Sequence, residues 1–219
     1  MTDHDGLEVW RSGPKTGVGG IVPAAPAIVL YAPKYPHNVG QVVRLASAYG
    51  IPQVWYSGDR VRQAIGSRLP REERMRRYED VALINHPDPL ARLCEALPRA
   101  CPVAVELRPG SENLVDFVHP GGSPEEDPAE VGPLYVFGPE DGSLSGPVLK
   151  RCHRFVVIPS FECLNLATSV ATILYDRMAK MPAKDRPVVR DRGMSGLAGR
   201  RQPAKLRRAE SGRDATRAR

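Results

Sequence analysis

Short runs of β-branched and aromatic residues alternate along this chain with stretches of helical periodicity, and that alternation limits the fold more than any other feature. The runs are AIVLY (27–31), QVWY (53–56), VALI (81–84), PVAVEL (102–107), LYVF (134–137) and RFVVI (154–158). Helical patterns fall near 39–49, 88–97 and 165–180, the first with Val39, Val42, Val43, Ala46 and Tyr49 on one stripe. Short, uniformly apolar strands separated by helices suit a parallel sheet buried on both sides. The expected class is therefore α/β, a mostly parallel sheet with helices on both faces. In such sheets ligands sit beyond the carboxyl ends of the strands.

At 219 residues the chain suits one domain with tails, expected at 26–180. Residues 1–25 read as a loosely held arm, and the acidic, Pro/Gly-rich stretch HPGGSPEEDPAEVGP (119–133) as an exposed loop. The net charge of +6 is unevenly placed: from Lys180 onward 13 Lys and Arg face 4 Asp and Glu, so this end carries +9 and the remainder −3. Residues 181–219 have few large apolar side chains and read as a disordered basic tail. Arg200, Arg201, Arg207 and Arg208 within it are candidate contacts to a nucleic-acid phosphate backbone, because cations that neutralise phosphates release condensed counterions. A second basic cluster at 59–77 is partly balanced by Glu72 and Glu73 and reads equally as a solvated helix face.

Other classes are disfavoured. No run approaches the roughly 18 apolar residues of a membrane helix, and the first ten residues carry acids without an apolar leader, so a cytoplasmic protein is expected. Cys94, Cys101, Cys152 and Cys163 show no C-x-x-C pairing and the five histidines no metal-ligand spacing, so neither a disulfide framework nor a metal is expected.

Three corners could carry chemistry. In PHNVGQVVRLASAYG (36–50) Asn38 reads as a helix N-cap, Gly40 as a point of close backbone approach, and Arg44 as a planar fork for a phosphate or an anionic transition state. A capped helix with a solvated arginine reads equally well. In LYVFGPEDGSLSG (134–146) a strand runs into Gly138, Glu140 and Gly142, with a helix near Ser145; the spacing matches neither G-x-G-x-x-G nor a P-loop. In FVVIPSFECLNLATSVATILYDRMA (155–179) a strand stops at Pro159 and a helix begins near Asn165, carrying Thr168, Ser169 and Thr172 among apolar residues. Taken singly, the second corner is a tight turn or a cofactor loop, and the third a core helix or a close-packing one.

In this order the three corners resemble the SPOUT superfamily of RNA methyltransferases, specifically its SpoU/TrmH branch. The resemblance runs from about Ala27 to Lys180 and rests on NVGQVVR (38–44), FGPEDGSLS (137–145) and IPSFECLNLATSV (158–170). It implies a deep C-terminal trefoil knot, S-adenosylmethionine bound among three knot loops, no metal, and a homodimer whose interface helps to complete the site. By position it implies cofactor contacts at Leu107, Gly138, Glu140, Gly142, Ile158, Cys163, Leu164 and Asn165, with Cys163 standing where relatives often have serine. Asn38 and Arg44 match catalytic positions; Asn38, Gly40, Arg44 and Tyr175 match substrate-handling ones. The nearest likeness is to small single-domain tRNA 2′-O-methyltransferases, because no ribosomal-RNA-type binding domain precedes Ala27. Ribosomal RNA stays open as a substrate, and the basic tail and the 119–133 insert depart from the minimal form.

The implied reaction is methyl transfer to a ribose 2′-hydroxyl. A guanidinium keeps its proton at neutral pH, so Arg44 is expected to orient the acceptor and stabilise negative charge rather than act as a base. Glu140 is expected to shape the cofactor loop. Two other classes fit the residues: an RNA-binding module without catalysis, and a methyltransferase of a small molecule for which the tail is irrelevant.

Overall fold

The structure, a computed structural model, describes residues 8–11, 22–65, 81–121, 132–183 and 186. Among these residues eight strands form one sheet: β1 (Glu8–Arg11), β2 (Ala27–Leu30), β3 (Gln53–Tyr56), β4 (Ala82–Asn85), β5 (Cys101–Val105), β6 (Glu112–Asn113), β7 (Pro133–Phe137) and β8 (Arg154–Val157). Their order is β1-β4-β3-β2-β7-β5-β8-β6, and every pairing is parallel except that of β1 with β4. The expected α/β class holds. Within the stretch read as an arm, Glu8–Arg11 pairs antiparallel with β4, with a register shift between Val9 and Arg11, and closes one edge of the sheet.

Among the described residues there are also five helices: α1 (Pro36–Tyr49), α2 (Arg60–Ile65), α3 (Pro89–Ala96), α4 (Gly146–Leu149) and α5 (Leu166–Lys180). Strand alternation sends Ile28 and Leu30 into one core with Val39, Val42 and Val43 of α1 and Val170 and Ile173 of α5. Ala27 and Val29 point the other way, packing with Leu90 and Leu93 of α3 and Val148 of α4. The sheet is therefore covered on both faces. Each fully buried Leu or Ile contributes about 1.5–3 kcal/mol by leaving water.

Local chemistry sets the helix ends. The α3 N-terminus is capped by Asp88, whose carboxylate accepts from Ala91 N, and α5 by Asn165, whose side-chain oxygen accepts from Ala167 N at 2.8 Å. Gly50 ends α1 at φ 69°, a left-handed turn open to glycine without penalty. Asn38 is not the cap of α1: the helix starts at Pro36 after Tyr35, leaving Asn38 one turn inside. Proline suits that first turn because its missing N–H has no intrahelical partner there.

The last described strand and helix lie beside earlier parts of the chain. Strand β8 lies between β5 and β6, and α5 then packs on α1. Lys180 at the end of α5 donates to the carbonyls of Leu114 and Phe117 and pairs with Asp176 at 2.8 Å. Buried His119 joins this clamp, with Nε2 2.9 Å from Asp176 and Nδ1 2.6 Å from the Tyr135 hydroxyl. A neutral ring that donates from Nε2 and accepts at Nδ1 satisfies both partners. Among the described residues no helix is long and apolar enough to cross a membrane, and no His, Cys, Asp and Glu gather as a metal site.

Candidate active site

Three neighbouring strands, β7, β5 and β8, end side by side, and the segments leaving them wall a cleft of about 630 Å³. The volume lies in the range of small-molecule sites, roughly 300–1,000 Å³. Val105 to Leu107 form one wall, Phe137 to Ser143 a second, and Val157 to Leu164 a third, with Leu166 and Ser169 of α5 beneath. Leu107 is 79% exposed and Phe161 fully so, which puts large apolar side chains at a solvent-open mouth.

The walls are tied together by polar contacts. Glu106 accepts from Leu144 N at 3.2 Å, linking the first wall to the second. A side chain at Gly138 would set its Cβ 3.3 Å from that same Leu144 nitrogen, so glycine keeps this crossing close. The second and third walls meet α1 through Asn38. Its Nδ2 donates to Glu140 Oε1 at 2.7 Å, and its Oδ1 accepts from Asn165 Nδ2 at 3.1 Å. The other Glu140 oxygen accepts from Lys34 N at 2.7 Å. One carboxylate and two amides thus connect the end of β2, the loop after β7 and the start of α5.

Beside this network Asp141 pairs with Arg60 at 3.0 Å and Lys34 at 3.4 Å. The Arg60 hydrogen bond, seconded by Lys34, holds the Asp141 carboxyl below its usual value, and Asp141 in turn raises Lys34. All three are solvated, so the cluster orients the rim more than it stabilises the fold.

Leu107, Gly138, Glu140, Gly142, Ile158, Cys163 and Leu164 all line this one cleft. Asn165 stands just outside it, capping α5 and holding Asn38. Arg44 is exposed on α1 and lines no part of the cleft, Gly40 is buried within α1 rather than open to a partner, and Tyr175 is 59% exposed on α5. Arg200, Arg201, Arg207 and Arg208 lie outside the described residues, as do 122–131 of the acidic stretch. Glu106, Ser143 and Phe161 were not singled out by the motifs; the signal available for Glu106 was a carboxylate at the end of a buried strand.

The description "SpoU rRNA Methylase family" matches residues 25–175 through its family model. The chain belongs to that family. Among curated relatives, an uncharacterized tRNA/rRNA methyltransferase, slr1673 of Synechocystis sp., is 26% identical over 82% of this chain. This chain spans 60% of that relative's length. A protein solved in work on the 2-OH methylation of C/U34 on tRNA is 28% identical, with a TM-score of 0.53 over 70% of this chain and 94% of its own. The A. aeolicus TrmH/SpoU tRNA modifying enzyme, 18% identical with a TM-score of 0.57 over 70% and 74%, shares the fold. So does AdoMet-bound rRNA methyltransferase from Sinorhizobium meliloti, 20% identical with a TM-score of 0.52 over 74% and 60%.

Proposed function

We propose that this SpoU-family chain transfers a methyl group from S-adenosylmethionine to a ribose 2′-hydroxyl of RNA, with tRNA the favoured substrate, in the cytoplasm. The observation that carries the reading is the convergence of seven motif residues, drawn from segments up to 57 positions apart, on one cleft. The tRNA 2-OH neighbour supports the acceptor atom and the RNA class.

The cleft fits such a cofactor by its size, its apolar side chains and its glycine-permitted crossing. Leu107, Ile158 and Leu164 would enclose apolar parts of the ligand, while the loop of Gly138 to Gly142 offers backbone polar groups. When bound, the cofactor supplies an activated methyl group. This chain's residues align and stabilise. Glu140 holds the second wall against α1, and Asn38 keeps the third wall in register with it. The Arg44 fork orients the ribose-phosphate and stabilises negative charge growing on the ribose oxygen, while an RNA phosphate or water takes the proton. Because Arg44 lines no part of its own chain's cleft, the reading includes a homodimer in which it serves the other copy. The insertion of β8 between β5 and β6 supports the trefoil knot expected of this branch. The basic residues after Lys180 would add sequence-independent RNA affinity.

The test is incubation of the protein and S-adenosylmethionine with tRNA and ribosomal RNA from a host lacking it, followed by digestion and mass spectrometry of nucleosides. A rise in 2′-O-methylated nucleosides in the tRNA pool is expected, with a marked loss of rate for Arg44→Lys, which keeps charge but loses the fork. Methyl groups appearing only on bases, or no transfer to either pool, would overturn the reading.

A further inference from the structure

The start of α1 carries an aromatic pair that the motifs do not explain. Tyr35 and His37 flank Pro36 at the start of α1, both exposed, with ring centroids 5.5 Å apart and planes tilted by 31°. Neither ring packs into a core, and Tyr35 leaves 43% of its surface open. Ala32, at φ 44°, turns the chain after β2, and Lys34 N is fixed to the Glu140 carboxylate, which also holds Asn38. The pair is therefore mounted on the same network that joins the cleft walls.

Positive charge surrounds it. Lys34 Nζ lies 5.3 Å from the Tyr35 ring centroid, and Arg60 meets Lys34 at Asp141, leaving this trio one net positive charge. Along α1, His37, Gln41 and Arg44 are exposed at spacings of four and three residues, so they share one face. Two turns, about 10 Å, separate His37 from Arg44. An open aromatic pair beside cations and hydrogen-bonding side chains, on the helix face that carries Arg44, matches an unpaired nucleotide: a π-face for the base and cations for the phosphates.

We infer that Tyr35 and His37 form a stacking platform for an unpaired base of the RNA substrate, held beside the nucleotide that Arg44 orients. The inference rests on the RNA methyltransferase reading and adds to it a single-stranded substrate segment. Paired RNA keeps its bases stacked within the helix and cannot use the platform.

The experiment measures fluorescence anisotropy of a fluorescein-labelled RNA hairpin with an unpaired loop, and of the fully paired duplex of its stem sequence. Tyr35→Ala and His37→Ala are each expected to weaken hairpin binding by about 5- to 150-fold, the range for loss of one base–aromatic stack, with little effect on the duplex. Tyr35→Phe keeps the ring and restores binding. S-adenosylmethionine affinity by calorimetry and assembly mass by light scattering stay at wild-type values. Hairpin binding unchanged in both alanine variants, by a wild-type protein that methylates RNA, overturns the platform and leaves the reaction standing. A changed assembly mass assigns the rings to a contact between copies and overturns it too. A wild-type protein that binds neither RNA removes both the platform and the reading beneath it.

Discussion

Asn38 uses both ends of one amide: nitrogen to Glu140 and oxygen to Asn165, with 1% of its surface exposed. Removing it leaves half-buried Glu140 and exposed Asn165 one partner short, and because both can turn to water the loss is that of ordinary hydrogen bonds, about 0.5–1.5 kcal/mol. Asn38→Ala is accordingly expected to lower unfolding free energy by that amount in urea titration and to weaken S-adenosylmethionine binding in calorimetry. Unchanged cofactor affinity would show that the three walls hold their places without the amide. The sequence alone pointed to Asn38 but to the wrong partner. Local spacing favoured a helix cap, whereas the actual partners lie 102 and 127 residues away, and such pairings have no local signature. Cysteines divide more simply. Cys163 is exposed and lines the cleft, whereas Cys152 is buried and its thiol is pushed up to about 12 by that burial. A maleimide followed by mass spectrometry should modify Cys163 first and Cys152 last, with S-adenosylmethionine slowing the former. Equal rates, or no protection, would count against Cys163 as part of the cofactor wall.

At the scale of elements, the helices and long strands were legible because periodicity and burial agree. The pattern near 39–49 became Pro36–Tyr49, that near 88–97 became Pro89–Ala96, and that near 165–180 became Leu166–Lys180. Two strands escaped. Glu112–Asn113 is two exposed polar residues at a sheet edge, and Glu8–Arg11 depends on an antiparallel partner more than 70 residues away. Neither carries an apolar alternation, since what makes them strands is an available edge and not their own side chains. The end of α1 shows local chemistry deciding alone: a Cβ at Gly50 would meet nothing within 4 Å, yet φ is 69°. Gly50→Ala is expected to lower stability by about 1 kcal/mol, the conformational cost of a left-handed turn, with an unchanged denaturant slope. An unshifted urea midpoint would mean that the helix can end another way.

Across the whole molecule, the clamp of His119, Tyr135, Asp176 and Lys180 joins the segment after β6 to the final helix. Burial is the chief influence on His119 and lowers its proton affinity; Asp176 opposes this, and Lys180 and Arg177 add to it. The unfolded chain takes up this proton near pH 6.5, the folded protein only at lower pH, so stability should fall as pH drops below about 6.5. Urea titrations at about pH 7.5 and about 5.5 should show that loss, and His119→Gln, which cannot titrate, should lack this part of it. A variant with the same pH dependence as the wild type would place the effect elsewhere. The position of β8 between β5 and β6 also orders events in time. Protein synthesis delivers β5 and β7 first, but the third wall of the cleft and the helix beneath it come from residues 157–169. A nascent chain therefore has no complete cleft until Arg154–Val157 has left the ribosome and found its slot.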